Sequence, residues 1–562
     1  MLEKEFSLLM GGKAGDGIDR AGIILGRILS RLGYNIYILR DYPSLIRGGH
    51  TFSIIRASWK RIATHRNKID FLLALNKDVI TLHKQRLKDN SIIIYDSDAF
   101  KLEAESTTTK AIGVPLTKII KEENVSEVMR NTCLIGAFCK ITGIEWNIIE
   151  GVLRKNITKD IDLNLKIAQR GYNEVKELMK IEIISQKSLS LLTGNEAISL
   201  GLIKAGLKSY IAYPMTPSSP ILHFLADLAK DFNLKVIHPE SEIAVILMAL
   251  GFAYAGEKVA VGTSGGGFCL MTEGLSFAGM AELPIVIIMG QRPGPSTGLP
   301  TYSAQTELHF VQNAGQGEFP RFIVAPGDAQ EAYYWSAMAL NIAWKYQIPA
   351  FILSDKNLGE GMFNFDMDAI DGIKEEGAIL WDGESGYKRY LVTEKGVSPL
   401  AFVPEKKSII KVNSYEHDEF GITTEDPKIT AMMQEKRLRK GEYLLEELKE
   451  YKTVNIYGNR KASIALLCWG SNKGLCVEAG ENLDLKVIQA VVLSPFPDEE
   501  FKEAIKGVKK IICVENNATG QLARLISSYG FNVDEKILKY DGRPFALDEL
   551  EDRLKVSLKK VL

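Results

Sequence analysis

Apolar positions in this chain follow two rhythms. Short continuous runs suit strands buried on both faces, and longer stretches with apolar residues every three or four positions suit helices. The alternation is sharpest between Val259 and Thr301. Residues 259–262 are apolar and β-branched, and Thr263-Ser264-Gly265-Gly266-Gly267 turns the chain. Residues 268–281 carry helix formers broken by small residues, and residues 284–290 are a continuous apolar run. The stretch predicts a βαβ unit, whose loops lie at strand carboxyl ends, where open α/β sheets bind ligands. The glycine turn and the loop 291–298 therefore open on one side. The first offers backbone N–H groups at a helix N-terminus and the second offers the cation Arg292, a pairing that suits a small anion. A glycine triplet alone is equally an ordinary tight turn.

The same rhythms organise the rest. Residues 6–10 read as a strand, Gly11 to Gly17 as a glycine loop, residues 18–32 as an amphipathic helix and residues 35–39 as a strand. This opening is Rossmann-like, but its glycines do not follow G-x-G-x-x-G, so a dinucleotide-dependent dehydrogenase rests on that loop alone. Residues 181–191 read as a linker. Helices are predicted over 195–205, 221–230, 243–254 and 328–346, and strands over 210–213, 234–237, 322–324 and 349–353. Residues 361–458 are more polar and read as an insert and linker, with 431–448 a charged, exposed connecting helix. Strands at 462–467, 486–493 and 509–514 define a last domain. The predicted class is α/β, with domains at 1–180, 192–360 and 459–562.

Composition narrows the function. A net charge of −1 argues against a polyanion-binding role, so nucleic acid is not expected as a partner. No apolar run approaches the roughly 20 residues that span a membrane, and the opening MLEKEFSLLMGG has no signal-peptide pattern. Cytoplasmic is the expectation. Cys133, Cys139, Cys269, Cys468, Cys476 and Cys513 form no C-x-x-C pair and supply no iron–sulfur or zinc ligand set of usual spacing; they read as small buried hydrophobes. His417 between Glu416 and Asp418-Glu419 has the look of a metal cluster, against the plainer reading of a solvated surface run. In Tyr213-Pro214-Met215-Thr216-Pro217-Ser218-Ser219, two prolines flank Thr216, restrict its backbone and pre-position its hydroxyl, while Ser218 or Ser219 suits a helix cap. Glu242 opens the next helix, where a carboxylate also simply complements the helix dipole.

TSGGGF, LMTEGLSFAGMAELP and QRPGPSTGLPT, in this order, resemble the α subunit of 2-oxoacid:ferredoxin oxidoreductases, thiamine diphosphate enzymes that oxidise 2-oxo acids to acyl-CoA. The YPMTPSS loop is similar to that family's YPxTPSS loop, whose threonine contacts cofactor and substrate carboxylate, which implies that role for Thr216 beside Pro214. By the same resemblance Glu242 faces N1′ of the cofactor's aminopyrimidine, Arg292 clamps the substrate carboxylate, and Ser264, Gly265 and Gly266 touch the cofactor. Pro293 and Gln316 depart from the family's usual QRGGPS and GHGE.

Tyr42-Pro43, Ile46 to His50, Gly113 to Leu116 and residues 131–143 resemble the family's γ domain. They leave Arg47 and His50 open between a catalytic and an interface role. Residues 459–562 resemble the carboxyl-terminal domain of transketolase-like enzymes, with Glu515-Asn516-Asn517 either at a ligand or packed against another subunit. Gly15-Asp16-Gly17 is no metal–diphosphate motif, because Arg40 to Gly49 contains no asparagine pair.

The resemblance thus implies a fused γ–α subunit in three domains: γ, pyrimidine-binding and transketolase-like. Thiamine diphosphate would be shared with a β subunit that carries Mg²⁺ and a 4Fe–4S cluster. Ferredoxin, coenzyme A and a 2-oxo acid are the implied partners, with 2-oxoglutarate ahead of pyruvate or a branched or aromatic acid. A dimer of αβ heterodimers is the implied assembly. The alternative outside catalysis is a binding or assembly subunit, against which Glu242, Thr216 and Arg292 stand together.

Overall fold

The computed structural model describes residues 4–44, 48–102, 109–370, 372–384 and 386–559. Arg47 lies outside the described residues. The chain forms two compact units, one of residues 1–192 with 361–366 and 546–562, the other of residues 193–360 with 367–545. Part of the polar 361–458 segment therefore belongs to each.

The first unit is built on an eight-stranded sheet. Glu5–Lys13, Ile69–Ala74, Leu87–Asp96 and Lys110–Val114 run parallel in adjacent positions. His50–Ser58, Asn35–Asp41 and Met362–Phe365 each run antiparallel to a neighbour. Gly11 and Gly12, expected in a loop, continue the first strand and pair with Phe52 and Thr51; the turn is confined to the residues before Ile18–Arg31. That helix buries Ala21, Leu25, Ile28 and Leu29 against Leu8, Met10 and Ile55.

The second unit opens with a capping box. Thr193 Oγ1 accepts from the Glu196 amide at 3.2 Å, and Glu196 accepts from the Thr193 amide at 2.7 Å, which starts Gly194–Lys204. Its main sheet has seven strands, in the order Val492–Ser494, Phe322–Val324, Pro349–Asp355, Ile285–Gln291, Val259–Thr263, Ser209–Ile211 and Lys235–Ile237. All pairings are parallel except the first. The strand expected over 486–493 breaks at Val491. Lys486–Ala490 joins a second, five-stranded sheet, and Val492–Ser494 crosses to edge the seven-stranded one. The break ties the carboxyl-terminal layer to the main sheet within this unit.

The helix Pro427–Leu448 is not the exposed connector that its charge suggests. Met433, Lys436, Arg437, Lys440, Leu444 and Leu448 are buried. Lys436 Nζ donates to both Glu282 oxygens at 2.8 and 2.7 Å, and Lys440 pairs with the same carboxylate. Arg389 donates to the Ala281 and Glu282 carbonyls at 3.0 and 2.9 Å, closing the end of Thr272–Ala281. Burial pushes the Glu282 carboxyl up, but Lys436, Lys440 and Arg389 outweigh it and hold the group well below the usual carboxylate range. Burial likewise pulls Lys440 down to about 7.

His417 is buried too, against both readings of its sequence neighbourhood. Its ring packs against Tyr390, tilted by 38° with centroids 3.8 Å apart, and Nδ1 lies 2.8 Å from the Tyr415 carbonyl. Glu416 is taken by Arg437 at 2.6 Å. Among the described residues no group of three or more His, Cys, Asp or Glu side chains is placed to hold a metal ion.

Glu282→Ala leaves two ammonium groups buried without their carboxylate, so it should destabilise the protein by about 3–5 kcal/mol. Glu503→Ala, which removes an exposed pair with Lys506, should cost under about 1 kcal/mol. Urea unfolding midpoints of the two variants check the contrast, and equal midpoints would refute it.

Candidate active site

The carboxyl ends of neighbouring parallel strands bring the candidate residues together. The loop after Ser209–Ile211 carries Pro214 and Thr216, and the turn after Lys235–Ile237 leads into the helix headed by Glu242. Val259–Thr263 runs into Ser264 and the short helix Gly265–Phe268, and Ile285–Gln291 ends at Arg292. These strands are consecutive in the sheet, so the loops share one edge. They enclose a cavity of about 600 Å³ lined by Met215, Glu242, Gly265, Gly266, Gly267 and Arg292. Gly294 to Thr297, Thr306 and Glu307 complete the rim and wall. The glycine turn and the arginine loop do open on the same space.

Glu242 is the first residue of Glu242–Tyr254, which is capped by Ser241 accepting from the Ala244 amide at 3.4 Å. It is 6% exposed, and among the described residues its carboxylate has no hydrogen-bond or ion-pair partner. Glu240, two residues earlier, is exposed before the helix begins. Gly267 explains the placing of Glu242. A β-carbon there would fall 2.3 Å from Thr263 Oγ1 and 2.5 Å from Glu242 Oε1, so only a hydrogen fits between them. At Gly266 the nearest atom to such a carbon is the Ser296 carbonyl oxygen at 3.7 Å, an ordinary van der Waals contact, so a methyl group fits there. Ser264 is fully buried, with its hydroxyl unpartnered among the described residues.

The expected continuous helix 268–281 is divided. Gly265–Phe268 forms one turn and Thr272–Ala281 the rest, with Cys269 and Leu270 between them in the cavity wall. Cys269 is exposed, unlike the other cysteines, so it is not a buried hydrophobe.

Arg292 Nη1 donates to the Thr216 carbonyl at 2.8 Å, which ties the two loops together. Pro214 and Thr216 are half-buried beside Met215 and are not in the cavity lining. Asn195 holds their loop by donating to the Pro217 carbonyl at 2.9 Å. Ser218 precedes Ser219–Phe232 but does not cap it; its hydroxyl turns back to the Met215 carbonyl at 2.8 Å. Beyond Arg292 the chain closes on itself, with the Leu299 amide donating to the Pro293 carbonyl at 3.0 Å. Gly298 sits at φ 51, where a β-carbon would strike that carbonyl at 1.9 Å. Burial pulls the Arg292 guanidinium below its ordinary range, and the charge of Glu307 works the other way.

Sequence reasoning missed Glu307. Its backbone amide donates to Gln291 Oε1 at 3.1 Å, and Oε1 accepts from the Thr306 hydroxyl at 2.8 Å. Its Oε2 is buried without a partner among the described residues. Burial pushes the carboxyl up to about 7; Thr306 and Arg292 oppose that shift and Asp355 adds to it. The sequence does hold a signal: Glu307 is the acidic residue that ends an uncharged run from Pro293 to Thr306.

Asn516 and Asn517 bind the loop that precedes Glu307. The Asn516 amide donates to Gln305 Oε1 at 3.0 Å, and Asn517 Nδ2 donates to the Gln305 carbonyl at 3.0 Å. Asn516 and Asn517 thus pack within the chain, an arrangement that neither reading of Glu515-Asn516-Asn517 anticipated. Gln316 is exposed, and its amide donates to Ser276 at 2.9 Å. His50, in the first unit, sets its Nε2 2.7 Å from His83 Nε2. No described helix is long and apolar enough to cross a membrane.

The family model for pyruvate flavodoxin/ferredoxin oxidoreductase, thiamine diphosphate-binding, matches residues 200–435, and that for pyruvate ferredoxin/flavodoxin oxidoreductase matches residues 7–174. The 2-oxoacid:ferredoxin oxidoreductase subunit alpha of a Sulfolobus species is 33% identical, over 98% of this chain and 96% of that one. A 2-oxoglutarate synthase subunit of Methanocaldococcus jannaschii is 30% identical, over 65% of this chain and 98% of its own. Among solved structures, the 2-oxoglutarate:ferredoxin oxidoreductase of Magnetococcus marinus, with 2-oxoglutarate, coenzyme A and succinyl-CoA bound, superposes with a TM-score of 0.90 at 27% identity, over 99% of this chain and 100% of that one. Matched nearly end to end, with the cavity inside the thiamine diphosphate-binding match, the chain belongs to the 2-oxoacid:ferredoxin oxidoreductase alpha subunits.

Proposed function

We propose that this chain supplies the cofactor-activating carboxylate and the substrate clamp of an enzyme that oxidatively decarboxylates a 2-oxo acid, 2-oxoglutarate foremost, to acyl-CoA and CO₂. The two electrons released reduce ferredoxin. The observation that carries this reading is a buried carboxylate with no described partner, Glu242, facing the same cavity as the Arg292 guanidinium. Buried ionisable groups normally have partners, so an unpartnered one in a cavity awaits a ligand. The residues fit thiamine diphosphate: Glu242 can accept an N–H from a heteroaromatic ring, and the cavity of about 600 Å³ that it lines with Gly266 has room for one. When bound, the cofactor supplies the carbon nucleophile and electron sink. Glu242 holds a proton on the ring nitrogen it faces. Arg292 binds the substrate carboxylate, and Thr216 acts from outside the cavity lining, through the carbonyl that steadies the guanidinium.

In this reading a β subunit completes the site and carries Mg²⁺ and a 4Fe–4S cluster, because this sequence has no metal–diphosphate motif and no cluster-type cysteine spacing. The helix headed by Glu242 supports such a partner. It exposes Ile243, Leu247 and Met248, and Leu270 lies exposed beside the cavity. A grouped apolar surface of this kind suits burial against another subunit. A dimer of such heterodimers in the cytoplasm is the assembly we favour. Co-purification with the native partner, then a 2-oxo acid panel with coenzyme A and a viologen dye, tests the proposal. The highest kcat/KM is expected with 2-oxoglutarate; a higher value with pyruvate would reassign the substrate, and no turnover of any 2-oxo acid would end the reading.

In the assembled complex Glu242→Gln should slow hydrogen–deuterium exchange at thiamine C2 by roughly 10², the loss expected for an acid–base partner, with Glu240→Gln nearly silent. Normal exchange in the Glu242 variant would remove the activating carboxylate from this chain. Gly267→Ala should lower exchange as well and destabilise by about 1–3 kcal/mol through overpacking, while Gly266→Ala keeps the wild-type melting temperature. Equal melting temperatures for the two alanine variants would show that the Thr263–Glu242 contact yields without strain.

A further inference from the structure

Resting on the reading of Arg292 as the carboxylate clamp, we infer that Glu307 is a positioning residue that makes substrate binding proton-linked: it takes up a proton from solvent when a 2-oxo acid carboxylate docks on Arg292.

The geometry carries this in three steps. First, Glu307 cannot leave the cavity wall. A β-carbon on Gly265 would fall 2.7 Å from its Oε1, so the carboxyl rests against the first turn of Gly265–Phe268. On the other side the carboxyl-terminal layer fixes the chain around it. Gln305 donates to the Trp469 carbonyl at 2.8 Å and accepts from Asn472 at 2.8 Å. Gln521 donates to the Thr306 carbonyl at 2.7 Å and accepts from the His309 amide at 3.3 Å.

Second, the charges at the cavity do not balance once an anion enters. Arg292 is the one cation among the lining residues, facing Glu307 from the end of Ile285–Gln291. Asp355, at the end of Pro349–Asp355, repels Glu307 from behind and is itself buried. Glu242 lines the same cavity from the head of its helix, and on the loop of Glu307 itself the Thr306 hydroxyl is the polar neighbour. A substrate carboxylate therefore brings a third negative charge to a wall that holds two carboxylates and one guanidinium. Desolvated like charges near one cation are costly, and neutralising one of them relieves the conflict.

Third, Glu307 is the carboxyl ready to be neutralised. Its Oε2 is free to carry the proton, since no described group donates to it. Its burial already sets it near 7. The sign follows. Below pH 7 the carboxyl is neutral and the anion meets Arg292 unopposed. Above it the carboxylate must be protonated for the anion to bind, so affinity falls as pH rises. A Glu307 that merely filled space would bind no proton and leave affinity independent of pH.

The test is calorimetric titration of the assembled enzyme with oxamate, an unreactive analogue of a 2-oxo acid, from pH 6 to 8 in buffers of different ionisation enthalpy. Wild type should take up a substantial fraction of one proton per site near pH 7.5, and Kd should rise roughly tenfold from pH 6 to 8. Glu307→Gln, which keeps an acceptor for Thr306, should abolish the uptake and flatten Kd. Arg292→Ala should weaken binding at every pH. Absence of proton uptake in wild type overturns the inference without any variant, and uptake that persists in Glu307→Gln overturns it by assigning the proton elsewhere. Unchanged affinity in Arg292→Ala instead overturns the clamp, a failure of the functional reading that the proton count keeps distinct.

Discussion

At Gly265 and Gly267 a β-carbon would lie 2.7 Å from Glu307 and 2.5 Å from Glu242. The helical turn that follows Val259–Thr263 therefore runs directly against two carboxylates from two other segments, and the rest of the cavity is arranged around that contact. The glycines are required for their missing side chains; neither has the positive φ that would demand glycine for its backbone. Close approach lets the turn present amide groups to the cavity while Glu242 reaches it from one side and Glu307 from the other. Because the strands beneath are adjacent and parallel, Arg292 and the Thr216 loop arrive at the same edge.

The five-stranded layer looks remote from this chemistry in the sequence, yet it holds the loop that carries Glu307. Gln305 is gripped by groups from Trp469, Asn472, Asn516 and Asn517, all of them buried. A fully bonded buried network of this kind rigidifies what it holds. Val492–Ser494 adds a strand from the same layer to the edge of the main sheet, antiparallel to Phe322–Val324. The layer thus contributes no residue to the cavity lining and still fixes one wall of it, which gives a physical reason for its covalent continuity with the site.

Most strands and the site loops were legible in the sequence because buried parallel strands leave continuous apolar runs and because Glu242 and Arg292 sit at element ends. Helix Pro427–Leu448 was not legible as a buried element. Lys436 and Lys440 occupy its inner face, and their partner Glu282 lies far back in the chain, so the local pattern mimics a solvated helix. Gly11 and Gly12 failed for a related reason: the pairing that keeps them in a strand comes from Thr51 and Phe52. Glu307 carried no motif. Its significance comes from burial and from Gly265, Gln291 and Arg292, none of them within reach of a local window. Ser218 was misplaced because its hydroxyl turned to Met215 instead of capping the helix behind it.

Glu282 and Glu307 show why a buried carboxylate is structural in one place and functional in another. Both are nearly inaccessible, so burial pushes both toward the neutral form. Around Glu282 stand Lys436, Lys440 and Arg389, more cation than one carboxylate needs, and the group stays ionised. No anion is called for there, and the Glu282 carboxylate keeps its charge. Around Glu307 stand a hydroxyl, a distant guanidinium and a second buried carboxylate, less cation than is needed, and the group rests near 7. The deficit is the useful property. It leaves the charge of Arg292 largely unspent for an incoming anion, and it leaves Glu307 able to give way when that anion arrives. Adding a second cation beside Glu307 would secure the fold and hold the carboxylate ionised, which is the arrangement the Glu282 cluster already has.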